Sequence, residues 1–351
     1  IFKLTLCLIE KEMMGMKRIM AVYDVSPFYS DRFADFANRK EKVPFTVAAF
    51  TSMEKLQLFA EQNPIELLLI SDSVNREQVD KLNAKQVVTL SDGEVVDVEN
   101  SYPSVYKYQS TDNVIREVMA CYCEKPEIEP LKTSLSRCRI IVVYSPLGRC
   151  LKTSFSLVLG QLMAQDEKVL YINLEQYSGF SSITGEKFTG DLSDVMYMYR
   201  QGNYHWMKLS SYVYSWGNLD YIPPARFPED LEEAGAKGAA DLIMEVAEES
   251  AYDVIIVDAG CFGKNVTDIL EICGTVYMPV KEDCMSAAKL EEFEDYLTQS
   301  GKAGLLDKIQ RLKLPYHSNF GRRDTYLEQL LWGELGDYVR QLLKGKGVLW
   351  H

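Results

Sequence analysis

Histidine and metal-thiolate chemistry have little to work with in this chain. Its 351 residues include three histidines, His205, His317 and His351, and eight scattered cysteines without a single C-x-x-C pair. Cys121 and Cys123 would point to opposite faces of a strand or sit badly apart on a helix, so a zinc site does not fit. Reduced thiols in a cytoplasmic protein are the reading that remains. No apolar run approaches the roughly 18 residues of a membrane span. The apolar start "IFKLTLCLI" is short and no small-residue cleavage site follows it. Residues 1–15 read as a non-native or disordered leader, with Met14 or Met16 as the true start. Positive charge is also scarce. The net charge is −13, which argues against indiscriminate nucleic-acid binding. Residues 301–351 are basic, with nine Lys/Arg against five Asp/Glu, a net of +4 that leaves −17 for the rest.

What is present is an alternation of strands and helices on both sides of a Pro-containing, apolar-poor stretch, "EKPEIEPLKTSLSR". That stretch reads as a linker over 125–137. The alternation is the pattern of α/β layers, two doubly wound parallel-sheet domains over 16–124 and 138–351. In the first, "RIMAVYD", "FTVAAF", "IELLLIS", "QVVTLS" and "SVYKYQS" read as strands. "PFYSDRFADFANRK" reads as a helix with Phe28, Phe33 and Phe36 on or near one face. The order resembles a response-regulator receiver, a flavodoxin-like fold.

That resemblance implies an acidic pair, a phosphoacceptor aspartate, a Ser/Thr and a Lys at successive strand ends. Here the acidic pair is reduced to Asp24 by Tyr23. Ser71 stands at the acceptor position, with Asp72 one residue late, while Ser91 and Lys107 fit the last two. A hard cation wants oxygen ligands, and with only Asp24 and a displaced Asp72 this cage is incomplete. The expectation is an atypical receiver that takes no phosphate and serves in docking. Lys107 has the alternative reading of a surface lysine.

The second half opens on "YSPLGRCLKTSFSLVLGQLMA", a strand–loop–helix unit with the outline of a phosphate-binding loop. The pattern G-x-x-x-x-G-K-[ST] fails twice, at Pro146 and Leu151. Gly148, Arg149, Cys150, Leu151, Lys152, Thr153 and Ser154 form the candidate nucleotide loop. A leucine in place of the second glycine either holds a left-handed conformation under strain or opens the loop. On either account, Leu151→Gly is expected to tighten Mg-ATP binding about tenfold. A capped helix start with an exposed lysine is the alternative reading.

Downstream, "KVLYINLEQYSGF" is a strand ending near Asn173-Leu174-Glu175, and "YDVIIVDAG" is a strand ending at Asp258 and a small-residue turn. This order resembles the deviant-Walker ATPases of the ParA/MinD superfamily. With the receiver-like half, it is similar to the TadZ/CpaE branch, which localises pilus-assembly machinery. The resemblance implies ATP and Mg²⁺ as ligands, Lys152 on the β- and γ-phosphates, and Thr153 and Asp258 on the metal. It implies Glu175 at the water-orienting position and a homodimer. The signature lysine that reaches the partner's nucleotide falls on Leu147, and Arg149 is the candidate replacement. No adenine-reading asparagine is offered by "DKIQRLKLP". With the motifs altered, slow hydrolysis or binding alone is expected, or a scaffold without turnover. A tyrosine-kinase relative is the third reading, though the tail "LLKGKGVLWH" lacks the tyrosine cluster of that group.

The expected partners are proteins of an envelope or pilus assembly complex, with recruitment to the membrane or cell pole. No specific nucleic acid is expected. The Tyr-rich segment around Trp206 and Trp216 reads mostly as core. "DTYLEQLLWGELGDYVRQLLKG" reads as one amphipathic helix packed on the sheet, with peripheral membrane contact as the alternative.

Overall fold

The computed structural model describes residues 18–39, 45–93, 102–123, 138–202, 206–260, 265–315, 325–345 and 349–350. The leader expected at 1–15 and the linker expected at 125–137 lie outside these residues. Contacts divide the chain into two compact units, Ile1–Lys132 and Thr133–His351.

The first unit runs β1 (Arg18–Tyr23), α1 (Pro27–Arg39), β2 (Phe45–Phe50), α2 (Met53–Gln62), β3 (Ile65–Ser71), α3 (Arg76–Asp80), β4 (Gln86–Ser91), β5 (Ser104–Tyr106) and α4 (Thr111–Cys123). All five strands are parallel, in the order β2-β1-β3-β4-β5. This is the flavodoxin-like doubly wound order. The apolar run of β3 is buried along nearly its whole length, as a central parallel strand covered on both faces requires. Of the three phenylalanines on α1, Phe33 is buried while Phe28 is 82% exposed, so the expected face is narrower. The strand expected over "SVYKYQS" stops at Tyr106.

The second unit continues with β6 (Arg139–Val143), α5 (Lys152–Met163), β7 (Val169–Asn173), α6 (Phe180–Thr184), α7 (Leu192–Arg200), α8 (Trp206–Leu209), β8 (Tyr214–Trp216), β9 (Leu219–Ile222) and α9 (Pro228–Glu249). It ends with β10 (Val254–Asp258), α10 (Val266–Ile272), β11 (Thr275–Pro279), α11 (Cys284–Gln299), β12 (Ile309–Leu312), α12 (Tyr326–Trp332), α13 (Glu334–Leu343) and β13 (Leu349–Trp350). The sheet order is β13-β12-β11-β6-β10-β7-β9-β8. Six parallel strands carry one antiparallel strand at each edge, β13 on β12 and β8 on β9. The expected parallel sheet is thus a mixed one.

Alternate residues of the central strands feed two cores. Val142, Leu170, Ile172, Ile255 and Val257 face a layer that includes α7, α9, α10 and α11. Val143, Tyr171, Val254 and Ile256 face α5, α12 and α13. Helix α5 is consequently buried almost all round. The expected single C-terminal helix is two, parted at Gly333, whose φ of −95° and ψ of −174° are extended. Gly336 shows why the pair is tight: a Cβ there would stand 1.9 Å from the carbonyl oxygen of Leu331. Trp206 packs edge-on against Tyr252 and Trp216 against Phe180, as the core reading expects.

At the strand ends of the first unit, the polar groups satisfy one another. Lys107 is only 5% exposed and Asp24 fully buried, which corrects the surface-lysine reading. The Lys107 ammonium donates to Asp24 Oδ2 at 2.9 Å and also pairs with Asp92, a residue the sequence reading passed over. The rings of Tyr29 and Tyr108 lie 5.6 and 5.3 Å from the ammonium. Asp24 Oδ1 accepts the Ser26 N–H at 2.8 Å. Asp72 Oδ2 accepts from the Ser91 hydroxyl at 3.1 Å and from the Asp92 N–H at 3.2 Å. The Ser71 and Ser73 hydroxyls bond each other at 2.9 Å. Lys107 thus stands as a fixed internal cation against Asp24, and the described residues hold no group of three or more His, Cys, Asp or Glu side chains that could grip a metal ion. Acetyl phosphate with Mg²⁺ should therefore leave the intact mass of the protein unchanged. A phosphoryl adduct that disappears on Asp72→Ala would show that the pocket opens.

Candidate functional site

Register brings three strand ends to one level. Asp258 at the end of β10 lies opposite Val143 of β6 on one side and Asn173 of β7 on the other. Ligands of open α/β sheets bind beyond such carboxyl ends. The segment 144–151 leaves β6 there and feeds α5.

The backbone of this loop is under strain. Leu151 has φ 65° and ψ 26°, the left-handed conformation, directly before the first turn of α5. Arg149, two residues earlier, has φ 54°. Among the described residues only three non-glycine residues have positive φ, and two of them are here. Each such residue costs about 1–2 kcal/mol, and strain of this kind concentrates at functional segments. Of the two alternatives for a leucine in the glycine position, the loop takes the strained one. Left-handed residues at alternate positions curl successive N–H groups toward one concavity, a shape suited to anions. The first N–H groups of α5 add to it, since they have no partner within the helix.

Several contacts hold the loop. The Leu147 N–H donates to Ser145 Oγ at 3.2 Å. The Leu147 carbonyl accepts from Cys150 Sγ and from Lys152 Nζ, each at 3.4 Å. The Phe155 N–H donates to the Leu151 carbonyl at 2.9 Å and starts the helix. The Leu147 side chain is buried in the core, so an apolar residue stands where a reaching lysine would be. Burial holds the Cys150 thiol above its ordinary range, so it is no ready thiolate.

Lys152, Glu175 and Asp258 come together. Lys152 is 7% exposed, and its Nζ lies 3.7 Å from Glu175 Oε1. Asp258 is fully buried. Its Oδ2 accepts from the Tyr171 hydroxyl at 3.2 Å, while its Oδ1 has no hydrogen-bond partner among the described residues. Burial pushes the Asp258 carboxyl up to about 7, and the Glu175 carboxylate adds to the push. The Thr153 hydroxyl, the Lys152 ammonium and the Tyr171 hydroxyl pull the other way. The turn after Asp258 needs its glycine. A Cβ at Gly260 would stand 2.7 Å from Glu175 Cα and from the Leu174 carbonyl oxygen.

Other candidates lie apart from this cluster. Gly148 and Arg149 are exposed, and the Arg149 side chain makes no ion pair or hydrogen bond among the described residues. The Ser154 hydroxyl bonds the Tyr326 hydroxyl at 2.8 Å, which ties α5 to α12. Sequence reasoning missed Tyr171, although period two along β7 puts it on the same face as Asn173.

No protein-family model matches this chain, and no curated protein matches it. Solved structures resemble it in part. A plasmid partition protein from Borrelia burgdorferi bound to AMPPNP is 19% identical, covering 60% of this chain and 91% of that chain, with a TM-score of 0.41. The ATP complex of McdA from Cyanothece is 16% identical, covering 61% of this chain and 89% of that chain, with a TM-score of 0.41. Cobyrinic acid a,c-diamide synthase from Mycobacterium smegmatis, with an ATP analogue and magnesium, is 14% identical. It covers 61% of this chain and 100% of that chain, with a TM-score of 0.43.

Proposed function

We propose that the unit Thr133–His351 binds Mg-ATP at the 144–153 loop and acts as a ParA/MinD-type regulator that dimerises and positions an assembly in the cell envelope, such as a Tad-like pilus. One observation carries the reading. The Lys152 ammonium and the Thr153 hydroxyl, at the start of α5, both favour the charge of the buried Asp258 carboxyl, whose Oδ1 accepts no hydrogen bond among the described residues. A buried, unsatisfied carboxylate costs stability, and a ligand accounts for its persistence.

Each residue has a role that follows from its chemistry. The loop N–H groups and Lys152 bind the phosphates. The Thr153 hydroxyl and Asp258 Oδ1 are the hard oxygen donors that Mg²⁺ prefers. The metal, when bound, supplies charge compensation for the phosphates. Glu175 is the residue this reading assigns to orient water, but it is one methylene longer than aspartate and leans toward Lys152. Hydrolysis is therefore slow or absent, and ATP acts as a switch between assembly states. Arg149, exposed and without a described partner, is the residue for a partner's nucleotide in a homodimer. The unit Ile1–Lys132, with its self-satisfied polar cluster, serves as a docking module. No helix among the described residues is long and apolar enough to cross a membrane, and partners bring the protein to the envelope. The net charge of −13 favours protein partners over nucleic acid.

Three kinds of outcome test this, the first from two loop variants. Lys152→Ala should abolish Mg-ATP binding in calorimetry. Because the strain at Leu151 is set by folding, Leu151→Gly should change affinity by less than about threefold, in place of the tenfold gain expected from sequence. It should shift stability by under about 1 kcal/mol, since glycine's added chain entropy offsets the strain relief. No binding by the wild type would leave a scaffold without nucleotide.

The second outcome concerns pH. Folding raises the Asp258 pKa from 3.8 to about 7. The folded chain thus keeps a proton that the unfolded chain has released in that window. Stability from this group falls as pH rises from 4 to 7 and is flat above. Relative to the wild type, nucleotide-free Asp258→Asn should gain on the order of a few kcal/mol between pH 5 and pH 8. Urea unfolding of both proteins at the two values measures it, and a gain that does not change with pH would count against the buried charge. The third outcome is that Arg149→Ala weakens an ATP-dependent dimer in ultracentrifugation and leaves the fold intact.

A further inference from the structure

A hydrogen-bond chain runs behind the loop, and its direction is fixed by chemistry. The Glu175 backbone N–H, which can only donate, gives its hydrogen to Asn173 Oδ1 at 2.8 Å. That sets the amide orientation, so Asn173 Nδ2 donates to the Tyr171 hydroxyl oxygen at 2.7 Å. The hydroxyl has one proton and gives it to Asp258 Oδ2 at 3.2 Å. Tyr171, Asn173 and Asp258 are all fully buried, so water does not compete for these groups. Every donor in the chain points toward Asp258.

We propose that Tyr171 and Asn173 are positioning residues that aim Asp258, engaging Oδ2 so that Oδ1 alone faces the Mg²⁺ of a bound nucleotide. This rests on the nucleotide reading above. It also gives a reason for asparagine at 173. An ionised aspartate there has no donor. The Tyr171 proton would turn toward residue 173, and Asp258 would keep its buried charge without the Tyr171 hydroxyl on Oδ2. The amide is therefore a requirement of the residue across the strand pair. The Glu175 backbone is the first donor, so the segment that carries the water-orienting side chain is also mechanically tied to the metal-facing carboxylate.

Two variants and two readouts test the relay. Tyr171→Phe removes the hydroxyl, and Asn173→Asp redirects it. In calorimetry with ATP, each should reduce the gain in affinity that Mg²⁺ supplies by about tenfold. Affinity measured in EDTA should stay within about twofold of the wild type. A residue that merely supports the core would lower both. The second readout needs no nucleotide. At pH 8, Tyr171→Phe should lower the urea midpoint, and the drop should be at least halved in an Asp258→Asn background, where no buried charge is left without its donor. Unchanged Mg²⁺ dependence in both variants, or equal midpoint drops in the two backgrounds, overturns the relay while leaving the nucleotide reading in place. Absence of ATP binding by the wild type overturns the nucleotide reading and the positioning role together.

Discussion

Much of the second unit answers to one constraint, a carboxylate placed at the end of a buried parallel strand. β10 is apolar along its length and covered on both faces, so Asp258 enters a medium that penalises its charge. Three neighbours of different kinds moderate that penalty. The Lys152 ammonium acts through space, the Thr153 hydroxyl and the Tyr171 hydroxyl through their dipoles. Glu175 works against them. The balance leaves the carboxyl near neutrality, with one oxygen engaged and the other open. Such a group is poor for stability and well suited to a ligand that brings its own positive charge.

The first unit solves a related problem the opposite way. Asp24 also ends a central parallel strand and is as deeply buried. There the counter-charge is covalently part of the chain. Lys107 occupies the space, and Asp24 has both oxygens engaged, by Ser26 and Lys107. Removing either member of a buried pair leaves an uncompensated charge, a loss of about 3–5 kcal/mol, so the pair stays closed. One unit therefore keeps its strand-end carboxylate satisfied, and the other keeps it open. On the function proposed above, that contrast, more than the shared α/β architecture, would separate docking from ligand binding.

Fold class was legible because buried parallel strands are written as apolar runs. "IELLLIS", "RIIVV" and "VIIVD" could be placed without knowing their neighbours. The loop and the two strand-end motifs were legible for the same reason, since their position follows from where the runs stop. What was not legible depends on partners distant in sequence. Lys107 fits a receiver position by sequence, but it cannot be told from a surface lysine until Asp24, 83 residues away, is seen beside it. The role of Asn173 requires Tyr171 and Asp258 at once. The break at Gly333 was hidden because the leucines of α12 and α13 keep a continuous apolar pattern, while the close approach that demands Gly336 is a backbone contact. The edge strands β8 and β13 are too short to leave a periodic signal.

Leu151 marks the limit of motif reading in this chain. Glycine at that position of a phosphate loop lowers the cost of a left-handed turn, but it is the turn that binds phosphate. Here the turn is imposed from outside. Leu147 is anchored in the core, the loop leaves a fixed strand end, and Phe155 locks the first helical hydrogen bond onto the Leu151 carbonyl. Together these contacts outweigh a local preference of about 1–2 kcal/mol. A glycine count measures only that local preference. The turn is set by tertiary packing, so a loop can lose a glycine and still hold a left-handed residue in its place.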